Sequence, residues 1–449
     1  MKEKAKKLTL FTLTWPIFIE IFLYMLMGNL DTLMLSQYSD DSVAAVGVAN
    51  QMLNIMIVMF GFVATGCSIL VAQQLGAKND RTAAEVAVIS IVANFIFGLM
   101  LSGIFVFAST PLLKLMDLPP HLLSEGKSYL IIVGGFSFIQ SVIMTLGAIL
   151  RSYGFTKDTM LVTVGTNILH AIGNYFVIFG PFDFPVLGVE GVAFSTTISR
   201  LIGLIVLFYL LKKRIKETLP FKTFYKIPKV HLKNLLRIGI PSAGENLSYN
   251  ASQIVITYFV TMIGTEALTT KVYTQNIMMF IYLFSVAISE GTQILIGHLI
   301  GARKYTEAYE RCMRTFKIAI TASTCMAIAF SFFAEPLLHI FTTNPHVIET
   351  GKILILLTVV LEPGRAFNLV IIGALRSAGD VKFPVYMGIL SMWGISVTAA
   401  YFFGIVLGFG LPGIWIAFAL DEWFRGIFML FRWRSRIWEQ KAFVIHPVG

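Results

Sequence analysis

One offset governs this sequence: residues recur 225 positions later, inside a chain that is almost continuously apolar. Pro16 returns as Pro241, Glu20 as Glu245, Gly76-Ala77 as Gly301-Ala302, and Leu150-Arg151-Ser152 as Leu375-Arg376-Ser377. No insertion interrupts the correspondence from residue 16 to residue 154. A duplicated membrane half, each copy with polar residues of its own, predicts a transporter whose pathway lies between the halves.

Composition fixes the class. Hydrophobic residues make up 56% of the 449 and charged ones only 13%, against about 25% charged in an ordinary soluble chain. That leaves too little polar surface for water and predicts an all-α polytopic membrane protein. The basic start imitates a signal peptide, but the apolar run from Leu8 to Leu35 is too long and ends without a small-residue cleavage site. It reads as a first transmembrane helix. Cys67, Cys312 and Cys325 have no metal or disulfide spacing and read as packing residues.

Stretches of roughly 20 or more apolar residues fall near 9–36, 43–74, 84–109, 126–151, 158–180 and 190–211 in the first half. Their counterparts lie near 235–263, 267–299, 310–334, 347–376, 383–404 and 411–431. Pro16, Pro241, Pro363 and Pro384 are candidate kinks. Six spans per half bring the second copy in from the same face as the first, so the repeat is parallel. The expected organisation is an amino-terminal lobe over 1–211, a linker over 212–234 and a carboxy-terminal lobe over 235–449. With the amino terminus inside, 28 of the 35 Lys and Arg fall in inner segments, 4 (Lys114, Lys127, Lys271, Lys352) in outer ones and 3 within spans. This is the positive-inside pattern, with both termini cytoplasmic. The linker alternates basic and aromatic residues and reads equally as a surface resting on anionic lipid headgroups or as a solvated loop. Gly76 and Gly301 read as helix-ending C′ glycines.

An ionisable side chain inside a span costs roughly 2.5–3.5 kcal/mol on insertion scales and is a functional candidate by default. The acids are Glu20, Asp31, Glu245, Glu290, Glu362, Asp421 and Glu422, and the bases Arg200, Arg365 and Arg425. That excess of acids suits cationic substrates. Glu20 and Asp31 are eleven residues apart, three helical turns and about 16 Å on one face. Loss of water favours the neutral form of a carboxyl group, so Asp31 is a candidate for proton exchange; coordination of Na⁺ is the alternative, and capping of a broken helix the plain one. Its repeat partner is Ile256, so Asp31 is a specialisation of the first half. His170 and Asn174, spaced i, i+4 on the fifth span, face Ile395 and Ala399 across the repeat. Ser195-Thr196-Thr197 could add hydroxyls, although small residues also pack helices. In the second half Glu245, Tyr249 and Gln253 belong to a polar stretch that calls for a water-filled cavity. Glu290 faces Thr65 in the repeat, and Glu362 and Arg365 can pair at i, i+3.

Twelve spans in two parallel halves with these residues resemble the multidrug and toxic compound extrusion (MATE) family. The resemblance rests on Trp15-Pro16, Asp31, Ala44-Ala45-Val46-Gly47, Gln73-Gln74-Leu75-Gly76-Ala77, Leu150-Arg151-Ser152-Tyr153-Gly154, Gly188-Val189-Glu190-Gly191-Val192-Ala193 and Leu375-Arg376-Ser377-Ala378-Gly379-Asp380. It implies two six-helix lobes of the MATE/MOP type that export cationic, amphipathic compounds in exchange for H⁺ or Na⁺. It also implies a cation site in which Asp31 matches the family's acid and Thr196 its hydroxyl. His170 and Asn174 stand where the family commonly has Asn and then Asp, so one carboxylate is missing, which favours protonation of Asp31 over Na⁺ coordination.

The expectation is a monomeric antiporter of the plasma membrane with no cofactor, no resident metal and no nucleic-acid partner, in contact with membrane lipids. Asp31, His170, Asn174 and Thr196 form its coupling site. Glu20, Glu245, Tyr249, Gln253, Glu290, Glu362 and Arg365 line its substrate pathway. A flippase for lipid-linked oligosaccharides is the alternative. A membrane enzyme has no motif in its favour, since neither His-Glu-x-x-His nor Gly-x-Ser-x-Gly occurs.

Overall fold

The computed structural model describes residues 8–444, and Lys2, Lys4, Lys6 and Lys7 of the expected inner charge lie outside them. The described residues are built from helices: α1 (Leu10–Ser36), α2 (Asp40–Gly76), α3 (Asp80–Leu115), α4 (Leu123–Tyr129), α5 (Ser137–Ser152), α6 (Thr156–Phe179), α7 (Gly188–Arg214), α8 (Lys229–Ile263), α9 (Thr265–Gly301), α10 (Tyr305–Phe332), α11 (Ala334–His339), α12 (Pro345–Ser377), α13 (Lys382–Ser391), α14 (Thr398–Tyr401) and α15 (Gly410–Arg434). Among the described residues, nine continuous stretches are long and apolar enough to cross a membrane, and a bent pair supplies a tenth. α8 and α15, set apart by their polar and charged residues, bring the candidate passages to twelve.

The spans divide into two compact units. Among the described residues, the first comprises Ile19–Val71 and Asn79–Gly239; the second comprises Leu8–Phe18, Ala72–Lys78 and 240–444. The start of α1 and the end of α2 therefore cluster with the second repeat.

Local chemistry explains the breaks. α6 stops at Gly180, whose φ of 60° is the left-handed cap that glycine accepts at no steric cost. α12 starts where Pro345 needs no hydrogen bond and the Asn344 side chain accepts from the His346 N–H at 3.0 Å. The fourth span bends by 42° between Pro120–Gly134 and Ser137–Ser152, beside a π-helical turn at Leu130–Gly134. The eleventh span carries π-helical turns at Met392–Val397 and Phe402–Val406. Pro384 falls in the first turn of α13, where its missing N–H costs nothing, so it need not act as a kink.

Gly76 and Gly301 are helical residues, not C′ caps; the positive φ at these two ends belongs to Lys78 (59°) and Arg303 (57°). Each glycine is needed because backbone lies against it. A Cβ on Gly76 would meet the His298 carbonyl oxygen at 2.0 Å, and one on Gly301 the Gln73 carbonyl oxygen at 1.9 Å. His298 is Gln73 displaced by 225 residues, so the two close approaches are reciprocal.

Cores form within the units. In the first, Phe60, Leu130, Val192 and Ala193 are buried together, and Asn94 on α3 donates to Ser141 O at 2.9 Å and Thr145 Oγ1 at 2.8 Å on α5. In the second, Trp433 and Trp438 stack at 4.1 Å beside the buried Phe367 and Leu375.

Candidate functional site

The first unit gathers a polar cluster from three helices. α1 lies along α6 through a series of contacts: Thr159 Oγ1 donates to Glu20 Oε2 at 3.1 Å, Asn167 Nδ2 to Leu23 O at 3.1 Å, and Asn174 Nδ2 to Asp31 Oδ1 at 2.7 Å. Nε2 of His170 lies 3.5 Å from the same Asp31 oxygen and 2.9 Å from Thr196 Oγ1 on α7. Thr196 in turn donates to Val192 O at 2.8 Å, and Ser195 to His170 O at 3.1 Å. The close meeting of α6 and α7 depends on Gly173, where a Cβ would lie 2.3 Å from Ser195 Oγ. His170, Asn174 and Thr196 are buried, and the Asp31 side chain is 14% exposed. Asp31 of α1, His170 and Asn174 of α6 and Thr196 of α7 thus stand together. Asn174 Oδ1 is buried without a hydrogen bond, an acceptor held open beside the carboxylate.

Glu20 has a different setting. Arg151 Nη1 lies 2.8 Å from its Oε1. The repeat reproduces this pair: Arg376 Nη2 bonds Glu245 Oε2 in the second unit. The neighbouring serines are repeated too, Ser152 Oγ donating to Ser68 O at 3.2 Å and Ser377 Oγ to Gln293 O at 2.5 Å. The Leu-Arg-Ser motif is therefore a double clasp, in which the arginine holds the acid of the first or seventh span and the serine holds the backbone of the second or eighth. Sequence reasoning placed Glu20 and Glu245 along the pathway and missed their arginines, which were assigned to inner loops. Arg151 and Arg376 also narrow the excess of acid inside the spans.

The second unit holds a larger charged network. Arg365 Nη1 is 2.6 Å from Glu362 Oε1, as the i, i+3 spacing on α12 anticipates, but its Nε also lies 3.4 Å from Glu422 Oε1 on α15. Asn368 donates to Glu422 Oε2 at 2.8 Å. Arg425 reaches Asp421 Oδ2 at 2.8 Å and Glu422 Oε1 at 3.2 Å, and Ser391 donates to Asp421 Oδ1. The Arg365 guanidinium lies 5.5 Å from the ring centre of Tyr282. Three carboxylates face two guanidiniums there, a formal charge of minus one, with Glu362 Oε2 buried and unbonded. Tyr249 is exposed on α8; Gln253 on α8 and Glu290 on α9 are half-buried. Lys271, counted among the outer charges, is buried near the start of α9 and donates to Thr257 Oγ1 at 2.6 Å.

The sequence profile of the MatE family matches residues 16–176 and again 241–402. The chain is 57% identical to the uncharacterised transporter YisQ of Bacillus subtilis over 98% of its own length and 97% of that protein's. It is 28% identical to a probable multidrug resistance protein, NorM, of Thermotoga maritima, over 96% and 93% of the two chains. In fold it is similar to a MOP superfamily transporter from Pyrococcus furiosus, with a TM-score of 0.87, 21% identity and 95% of each chain covered. Twice-matched family profile, near-complete relatives and the twelve-helix fold lead to one conclusion: this multi-pass membrane protein belongs to the MATE family of efflux transporters.

Proposed function

We propose that the protein is a secondary antiporter of the plasma membrane that exports cationic, amphipathic compounds in exchange for protons, with Asp31 as the coupling group. The observation that carries this reading is the composition of the first unit's cluster. Asp31 is bonded to an amide and lies against an imidazole, and it is the one carboxylate there among the described residues. A single proton on Asp31 then changes the charge of the cluster by a full unit. An inward proton carries roughly 2.3 kcal/mol per 100 mV of membrane potential, available to drive an export step. Na⁺ is better served by several hard oxygen donors, and the place where the resemblance expects a second carboxylate is Asn174.

The acids of the second unit and the exposed Tyr249 favour a cationic, aromatic-binding pathway through Tyr249, Gln253, Glu290, Glu362 and Arg365. The name of the Thermotoga relative, a probable multidrug resistance protein, supports the same substrate class. Lipid-linked anionic substrates would require free basic groups; Arg151, Arg365, Arg376 and Arg425 each hold a carboxylate, and Arg200, one turn beyond Thr196 on α7, has its charge within electrostatic range of Asp31.

The test is export of a cationic dye from proteoliposomes under an imposed proton gradient or an imposed Na⁺ gradient. Wild type is expected to respond to the proton gradient, and Asp31→Asn to lose that response while inserting normally. Undiminished proton-driven export by the variant, or export driven by Na⁺ alone, overturns the reading.

A further inference from the structure

A cavity in the first unit lies far from the Asp31 cluster in sequence and is used by nothing described so far. It has a volume of about 330 Å³ and is lined by Arg81 and Glu85 of α3 and by Thr218, Pro220, Thr223, Lys226 and Ile227 of the segment joining the two repeats. We propose that this cavity is a binding site for the headgroup of an anionic glycerophospholipid, its phosphate taken by Arg81 and Lys226.

The lining decides the sign of the ligand. Arg81 and Lys226 bring two positive charges. The one acid, Glu85, is already engaged: Arg81 Nε lies 3.4 Å from one of its oxygens and His231 Nε2 3.6 Å from the other. The lining thus carries a formal charge of plus one. The Arg81 side chain is 90% exposed, so most of its guanidinium remains open to a second partner. Guanidinium groups match phosphate oxygens in a planar fork, and an ammonium adds a point charge. Thr218 and Thr223 supply hydroxyls for a polar headgroup, and Pro220 and Ile227 supply apolar wall.

The surroundings decide the source of the phosphate. The turn Phe221–Lys226 that forms one wall also presents Phe224 and Tyr225, 42% and 70% exposed. Further back, Lys212 lies over the ring of Phe208 at 5.0 Å and Lys213 over that of Tyr209 at 5.7 Å. Aromatic rings interleaved with lysines are the composition of a membrane interface, where rings enter the headgroup layer and ammonium groups reach phosphates. A soluble phosphate would use the cations and leave the exposed rings without a role. A lipid uses both. The site is independent of which ion drives transport.

Native mass spectrometry of the full-length protein extracted from vesicles of phosphatidylcholine and phosphatidylglycerol tests the proposal. Wild type is expected to retain one phosphatidylglycerol more tightly than phosphatidylcholine. Removing the two cations with Arg81→Gln and Lys226→Gln should weaken that retention roughly thirtyfold, at about fivefold per basic residue near an anionic surface. Lys216→Gln with Lys222→Gln removes the same charge from the linking segment but not from the cavity, and should leave retention within about twofold of wild type, because exposed charges away from the site are screened by salt. All four side chains are on exposed residues, so unchanged melting temperatures are expected for both variants. Equal loss in both variants would reduce the effect to general surface charge and overturn the site. Displacement of the lipid by inorganic phosphate or glycerol phosphate at millimolar concentration would assign the cavity to a soluble anion and overturn the lipid.

Discussion

At the scale of single residues, the chain separates charges that hold it together from one that is free to change. Glu20 and Asp31 share α1, yet Glu20 faces a guanidinium and Asp31 an amide. Neutralising Arg151 leaves Glu20 in low-dielectric surroundings without its partner. Arg151→Gln is expected to lower stability by roughly 2–3 kcal/mol, below the 3–5 of a fully buried pair because about a fifth of each side chain is exposed. The double variant Arg151→Gln with Glu20→Gln should recover most of that loss in a thermal melt; strictly additive losses would show that the pair is not coupled. Asp31, His170 and Asn174 were legible in the sequence because polar groups stand out in an apolar span and because Ile256, Ile395 and Ala399 occupy the equivalent places. The arginine partners were not read, since a contact spanning 131 residues leaves no trace in periodicity. A signal did exist, in that Glu20 and Arg151 are repeated together as Glu245 and Arg376.

Among elements, the spans were readable to within a few residues because about 20 apolar positions are required to cross a bilayer. Their irregularities were not. The kinks expected at prolines overlooked the bend of the fourth span and the π-helical turns of the eleventh, which depend on packing rather than on a residue type. The link from α12 to α15 was equally hidden. Asp421, Glu422 and Arg425 show helical spacing in sequence, but nothing local brings Glu422 to Arg365. The glycines were visible and their reason was misread as capping. This gives a contrast to measure: Gly76→Ala places a methyl group 2.0 Å from a backbone oxygen, whereas Gly244→Ala on α8 meets nothing within 4 Å. The first is expected to abolish folded, monodisperse protein in detergent. The second should be neutral or stabilising by up to about 1 kcal/mol, the helix preference of Ala over Gly. Similar yields and melting temperatures for the two would refute the packing explanation.

For the whole molecule, the distribution of Lys and Arg predicts an orientation that labelling can check. Phe182, in the turn between α6 and α7, is 95% exposed, and Arg436 follows α15. With exposed Cys325 replaced by Ser, and with Cys67 and Cys312 buried, a cysteine at position 182 should react with an impermeant maleimide on intact cells. One at position 436 should react only after permeabilisation. The opposite pattern would invert the topology. The two clasps, Glu20 with Arg151 and Glu245 with Arg376, have one further consequence. Because the same two groups occur twice in one polypeptide, expression, extraction and lipid are identical for both copies by construction. Any difference between a substitution at Glu20 and the same substitution at Glu245 then measures what each repeat has come to do, and the protein serves as its own matched control.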